Sequence, residues 1–454
     1  MESTTLDSLL LQSPKLKECV PKHENLLKKL IAHKQSHLLA YAEELDTAAL
    51  ETFFEQVQCI DFELMDMLYS QLILNPKKEF EEEKIEPIAN CLRLTSVNQE
   101  ERLKLSKLGM DIISKGKLAI VLLSGGQGTR LGFEHAKGIY NIGMPSNKSL
   151  FQYFAERIQR ISELALKTCD IADKDPKKLI SFYVMTSEMN TEEIKKYFAD
   201  NDFFGLDPKK VTFFCQQSFP ALNFSGKIIS EQKHKISMAP NGNGGCLTSL
   251  ENLNLISQMK NDGISYVQII GVDNVLAKIG DPYFLGYAAA KDYDVTCKYV
   301  PKRSPTEPAG VFVLRNGKPH VIEYSEIPKA LSELTDANGK LVYDSANILN
   351  ALYKIEFLEN ILSSKKKELA SQYHIAKKKI QYYDDKLGQS ITPSEPNGYK
   401  FELFIHDCFQ LCAPEKFGVI EAKREEEFAP VKNAPGAAED SPDTARALIS
   451  RLHQ

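Results

Sequence analysis

Several features are missing from this sequence, and each absence removes a class of answer. No apolar run approaches the roughly 18 residues a helix needs to cross a bilayer, so no membrane span is expected. The opening MESTTLDSLLLQSPKLKE lacks the basic, apolar and small-residue regions of a secretory signal, which predicts a cytoplasmic chain. There is no basic excess: 56 Lys and Arg stand against 61 Asp and Glu, a formal net charge of −5. That excludes a general nucleic-acid binder, though not a local basic cleft for a small anion. The nine cysteines are odd in number, and none forms a CxxC pair matched by a second ligand pair, so neither a zinc site nor a disulfide framework is expected. Cys408 and Cys412 lie one helical turn apart, but they sit in KFELFIHDCFQLC, whose apolar spacing favours core packing. No internal repeat is present.

What is present describes an ordinary globular protein of two or three lobes, with 454 residues, 43% of them apolar and 26% charged. The first lobe, 1–116, is glycine-poor and helical in pattern, as in LLKKLIAHKQSHLLAYAEEL and NQEERLKLSKLGMDIISKG. Over 117–385 the pattern changes. Short apolar runs (LAIVLLS, LISFYVMTS, VTFFC, YVQIIGV, DVTCKYV) alternate with helical stretches such as SLFQYFAERIQRISELALK, which predicts a mostly parallel sheet covered on both faces. Asn316-Gly317 predicts a hairpin within GVFVLRNGKPHVIEY. SSKKKELASQYHIAKKKI reads as a helix with a solvated basic face. A smaller lobe, 386–454, is expected to hold an apolar helix around 401–412, a strand near 417–421, an exposed loop KNAPGAAEDSPD and a closing helix.

The most informative stretch is IVLLSGGQGTRLGFEHAKGIY, residues 120–140. It has neither the GxxxxGK[ST] string of a P-loop nor the GxGxxG of a dinucleotide site, because Gly132 comes one residue late. Glycines after a strand can simply reverse the chain. Four of them (Gly125, Gly126, Gly128, Gly132), with Arg130 among them and Lys137 downstream, favour a cradle for phosphates. Bare backbone lets amides close on phosphate oxygens, Arg offers a planar fork, and Lys adds a point charge. The loop also ends an α/β strand, where ligands of such sheets collect.

LLSGGQGTRLG followed by AKGIY resembles the signature of the UDP-N-acetylhexosamine pyrophosphorylases. Further segments match in the family's order: CQQSFPAL, MAPNGNGG, VDN at 272–274, PTEPAGV with VIEYSE, and NGYKFELF with PVKNA. The resemblance runs from about Leu118 to the C-terminus and is weak over the helical lobe. It implies an α/β fold: a central mixed, mostly parallel Rossmann-like nucleotidyltransferase sheet flanked by helices, with the helical N-terminal lobe and a small α+β C-terminal lobe closing over the site. The implied reaction joins UTP to an N-acetylhexosamine 1-phosphate with Mg²⁺, giving UDP-N-acetylglucosamine and pyrophosphate. The attacking phosphate is already an anion, so positioning and electrostatics would carry the catalysis.

The resemblance also implies residue roles. Leu123, Ser124, Gly125 and Gly126 would contact the nucleotide, Arg130 the departing pyrophosphate and Lys137 the α-phosphate. Gln217 and Gly242 would read the uracil, and Asp273, directly after an apolar strand, would hold Mg²⁺. Asn243, Gly310, Glu323, Tyr324, Asn347 and Phe404 would bind the sugar. Lys400 and Lys432 would reach the phosphates of UTP and the acceptor. Four positions depart from the family pattern: Ser124 replaces Ala, the Gln-Gln to Pro interval is shorter, Asn241 replaces Asp, and His406 replaces an aromatic beside the sugar. The last leaves the choice among N-acetylglucosamine, N-acetylgalactosamine and glucose 1-phosphates open. A regulatory nucleotide binder would require damage to Arg130, Lys137, Asp273 or Lys400, and all four are intact. No coiled-coil heptads appear, and a monomer or weak dimer is expected.

Overall fold

Each apolar run singled out above is a strand of one mixed sheet. In the computed structural model, which describes residues 5–75 and 84–452, the order across the sheet is Cys91–Leu92, Phe417–Glu421, Val295–Pro301, Ser345–Lys354, Tyr266–Gly271, Leu118–Leu123, Ser181–Thr186, Val211–Cys215. Leu118–Leu123 runs parallel to both of its neighbours. The long strand Ser345–Lys354 is antiparallel to Tyr266–Gly271 and to Val295–Pro301, which makes the sheet mixed. Every residue of Leu118–Leu123 and of Ser181–Thr186 is buried, as strands covered on both faces require.

The helices follow their sequence signals. Ser149 caps Leu150–Thr168 by accepting from the Gln152 amide, and Asn98 caps Gln99–Ser114 by accepting from that of Glu101. The hairpin Val311–Arg315 to Lys318–Ile322 turns at Asn316 (φ 51°) and Gly317 (φ 74°), as an Asn-Gly pair predicts. Cys408 and Cys412 are buried and free, as core residues. Among the described residues, no helix is long and apolar enough to cross a membrane.

The chain forms two compact units. The sheet belongs to the larger, made of Glu81–Gln216, Cys246–Lys366 and Ile405–Gln454. The smaller combines Met1–Phe80, Gln217–Gly245 and Lys367–Phe404, and contains the helices Pro14–Ala32, Thr47–Gln58 and Phe62–Leu68. It also holds a small antiparallel sheet, His374–Lys378 with Gly398–Glu402 and then Leu222–Asn223. These units interleave along the chain, where the sequence suggests three consecutive lobes over 1–116, 117–385 and 386–454. Parts of those lobes, at 1–4, 76–83 and 453–454, lie outside the described residues.

Two local expectations are corrected. The helix expected over 401–412 is the strand Gly398–Glu402 followed by a 3₁₀ helix, Ile405–Leu411. Phe401, Leu403 and Ile405 are all buried, and that two-residue period is the pattern of an extended chain. The single basic helix expected over 363–380 is a short helix, Lys366–Ala370, and then the strand His374–Lys378, whose backbone pairs with Gly398–Glu402.

Candidate active site

The phosphate-loop candidate leaves the sheet at Leu123. The Ser124 amide still donates to the Met185 carbonyl of the neighbouring strand (3.0 Å), and the Asn190 side chain donates to the carbonyl of Gly125 (3.2 Å). Asn190 thus ties the Ser124 and Gly125 carbonyls back into protein, while the amides of Gly125 and Gly126 donate to no protein acceptor among the described residues. Farther along, Gly128 N–H donates to His135 O (3.0 Å) and Lys137 N–H to Gly126 O (3.2 Å), which closes the loop. Glu193 clasps it from outside, accepting from the Ala136 amide at 2.9 Å and pairing with His135 Nδ1 at 2.5 Å.

The loop glycines differ in purpose. A Cβ on Gly126 would meet nothing within 4 Å, so its backbone is open. A Cβ on Gly128 would lie 2.8 Å from Phe133, and one on Gly138 only 2.1 Å from Phe151, so those two glycines are dictated by packing. Ser124 is completely buried, and its hydroxyl has no partner among the described residues.

Lys137, Arg130, Asp273, Lys432 and Asp440 interact electrostatically within the larger unit. Burial pushes the Lys137 ammonium below its ordinary pKa, with Lys432 and Arg130 adding to the fall and Asp273 opposing it. Lys432 Nζ lies 3.9 Å from Asp273 Oδ2. Burial raises the Asp440 carboxyl, with Glu439 and Asp273 adding to the rise and Lys432 opposing it. The segment before Lys432 is fastened to the residues around Asp273: Val431 N–H donates to Asp273 O (2.9 Å), and Ala429 N–H to Asn274 Oδ1 (2.9 Å). The Asp440 carbonyl then accepts from the amides of Lys432 and Asn433.

Three of the residues predicted for the sugar also gather in this unit. The Asn347 amide donates to the Gly310 carbonyl (2.8 Å). A Cβ on Gly310 would lie 3.1 Å from Glu323 Oε1, so a side chain there would crowd that carboxylate. His406 is buried with its Nε2 3.8 Å from Glu323 Oε1 and 3.9 Å from Asp407 Oδ1. Tyr324 follows Glu323 and is 55% exposed.

The remaining predicted residues belong to the smaller unit and surround one turn. Asn241 N–H donates to Gln217 O (3.4 Å), Leu403 N–H to Asn241 O (3.1 Å), and Gly244 N–H to Leu403 O (2.7 Å). Gly242 has φ 69°, and a Cβ there would stand 2.4 Å from the Leu403 carbonyl. Gln217, Gly242, Asn243 and Phe404 are thereby joined through two strands of backbone. The Phe404 ring lies 4.9 Å from that of His374, and Lys400 sits opposite Ala376 in the small sheet. Asn241 Nδ2 donates to the Tyr373 hydroxyl (2.9 Å), a contact its amide makes as donor; burial pushes that hydroxyl up to about 12.

Sequence reading alone gives no role to Asn190 or Asp440 and names Asn274 only beside Asp273. Asn274 was visible as part of VDN, but its bonds to the 427–429 segment join residues far apart in the chain. Asp440 lies in a loop expected to be exposed, and much of that loop is exposed, but this residue turns inward.

Comparison with known proteins gives the chain its family. Residues 62–437 match the family described as UTP--glucose-1-phosphate uridylyltransferase. A probable UDP-N-acetylglucosamine pyrophosphorylase of Dictyostelium discoideum is 37% identical over 95% of this chain and 88% of its own. The UDP-N-acetylglucosamine pyrophosphorylase of Saccharomyces cerevisiae is 40% identical over 76% of this chain and 71% of its own. The crystal structure of the Trypanosoma brucei uridine diphosphate N-acetylglucosamine pyrophosphorylase superposes with a TM-score of 0.81 at 32% identity, covering 95% of this chain and 84% of that one. The chain therefore belongs to the UDP-N-acetylglucosamine pyrophosphorylase family of nucleotidyltransferases.

Proposed function

We propose that this protein transfers the uridylyl group of UTP to N-acetylglucosamine 1-phosphate, forming UDP-N-acetylglucosamine and pyrophosphate. The observation that supports it most is the grouping of Arg130, Lys432 and the Asp273 carboxylate about the buried Lys137 ammonium, with Lys432 3.9 Å from Asp273, beside a loop whose Gly126 backbone is open. A phosphate oxygen of the acceptor attacks the α-phosphorus, and the bond to the β-phosphate breaks, with its electrons leaving on pyrophosphate. No protein nucleophile is needed. The work left to the protein is to hold highly charged groups together and to neutralise charge as it moves.

In this reading Leu123, Ser124, Gly125 and Gly126 cradle the nucleotide, with Arg130 on the leaving pyrophosphate and Lys137 on the α-phosphate. Gln217 and Gly242 read the uracil, and a site that hydrogen-bonds one base leaves groups unpaired with another. Lys400 serves the UTP phosphates and Lys432 the acceptor phosphate. Asn243, Gly310, Glu323, Tyr324, Asn347 and Phe404 bind the sugar.

Among the described residues, no three His, Cys, Asp or Glu side chains are grouped to cage a metal. Asp273, with Asp440 within electrostatic reach, offers the sparse oxygen set that suits Mg²⁺, which keeps waters and takes substrate phosphates as ligands. Asp273 would hold Mg²⁺, which when bound would neutralise phosphate charge. The free cysteines fit a reducing compartment, and we place the enzyme in the cytoplasm as a monomer or weak dimer.

The test is pyrophosphate release from UTP and Mg²⁺ with the 1-phosphates of N-acetylglucosamine, N-acetylgalactosamine and glucose. Turnover confined to the N-acetyl sugars, fastest with N-acetylglucosamine, is expected. Faster turnover of glucose 1-phosphate would overturn the assigned acceptor, and UTP binding without release from any acceptor would overturn the activity.

A further inference from the structure

Lys298 is a charged residue that the reaction above does not use. It stands in the strand Val295–Pro301 with only 2% of its surface exposed. Its Nζ lies 2.5 Å from Asp281 Oδ2 and is ion-paired with the Glu427 carboxylate, whose other oxygen is 3.3 Å from Lys278. Burial works against its charge, but the two carboxylates more than offset that and hold its pKa above the ordinary lysine value. Stability alone is a weak reason for such a group. Well-packed apolar residues in place of a buried ion pair are often as stable or more so.

What Glu427 does next is more specific. Its main-chain carbonyl accepts from Asn274 Nδ2 at 2.8 Å. Asn274 Oδ1 in turn receives the Ala429 amide, Val275 N–H donates to Ala429 O at 3.3 Å, and Val431 N–H donates to Asp273 O. Residues 427–431 are thus fastened along residues 273–275, starting from a side chain anchored in the sheet. The next residue is Lys432, 3.9 Å from Asp273.

We propose that Lys298, acting through Glu427, is a positioning residue that sets Lys432 against Asp273 to receive the acceptor phosphate. The proposal rests on the functional reading above, in which Lys432 meets the acceptor phosphate and Asp273 the metal. Partners that orient primary ligands of this kind typically cost about 10- to 100-fold in activity or affinity when lost.

The test is Glu427→Gln, which keeps the shape of the side chain and leaves Lys298 paired with Asp281. Two readouts are taken, amide exchange and steady-state kinetics. The Ala429 and Val431 amides are expected to exchange roughly 10-fold faster, while the strand Val295–Pro301 keeps its protection. KM for N-acetylglucosamine 1-phosphate is expected to rise roughly 10-fold with KM for UTP nearly unchanged. Lys298→Met should reproduce the pattern, and Lys298→Arg, which keeps the charge, should partly restore it.

Unchanged exchange at Ala429 and Val431 would overturn the proposal, as would a loss of rate that leaves both KM values where they were. A wild-type protein that formed no nucleotide sugar would sink the functional reading instead, with the exchange at those two amides still deciding the positioning.

Discussion

The two glycine turns, one in each unit, use the same residue for opposite reasons. In the larger unit Gly126 sits in open space, so its missing side chain leaves backbone available to a ligand. In the smaller unit Gly242 and Gly244 are pressed against Leu403, whose carbonyl would lie 2.4 and 2.6 Å from an added Cβ. There the missing side chain lets two pieces of backbone join, and the ligand-reading role proposed for Gln217, Gly242 and Asn243 is built on that junction. A glycine-rich motif therefore announces close backbone approach without saying what approaches. The loop even mixes both cases, because Gly128 and Gly138 are filled against by Phe133 and Phe151.

Substitutions can separate the two uses. The largest effect on rate is expected from Lys137→Ala beside the open loop: kcat/KM falls about 10²- to 10³-fold, measured by pyrophosphate release, because a contact strongest in the transition state is lost. Its melting temperature should not fall, since the ammonium already opposes its own burial. A Lys137→Ala enzyme that kept its rate would remove the catalytic half of the comparison.

In the smaller unit, Gly242→Ala is expected to act on folding first. It combines a left-handed φ of 69° with the clash at Leu403, a cost on the order of 2–4 kcal/mol that denaturant unfolding would read. Gly126→Ala should change stability by less than about 0.5 kcal/mol while raising KM for UTP several-fold, since its methyl enters space reserved for phosphate. Equal destabilisation by both substitutions would erase the distinction.

The smallest effect concerns pH. The Lys137 pKa lies below the ordinary lysine value in the free protein, and phosphate oxygens arriving beside it would raise it again. Between those two values UTP binding takes up a proton, so affinity weakens as pH rises through that window. Calorimetry in buffers of different ionisation enthalpy should detect the uptake, and Lys137→Arg should abolish it.

Much of this was legible in the residues. The strands could be read because most of their residues are buried and apolar, and the Asn-Gly turn because few residues accept positive φ. The phosphate loop stood out because glycines and cations cluster within one short segment. Phe401 to Cys412 imitates a helix because a two-residue burial period passes into a 3₁₀ turn, which mixes the spacings. The Lys-rich strand His374–Lys378 is hidden because its pairing partner, Gly398–Glu402, lies far downstream. Asn190 and Asn274 act through bonds to distant segments, and Asp440 through its electrostatic reach to Asp273, which no local pattern encodes.

The central claim is direct attack by the sugar phosphate on the α-phosphorus of UTP, with pyrophosphate as leaving group. It is tested most directly by running the reaction with N-acetylglucosamine 1-phosphate carrying ¹⁸O in its non-bridging phosphate oxygens and reading the products by ³¹P NMR. The account predicts ¹⁸O in the oxygen that bridges the two phosphorus atoms of UDP-N-acetylglucosamine, and unlabelled pyrophosphate. An unlabelled bridge, or ¹⁸O in the pyrophosphate, would contradict it.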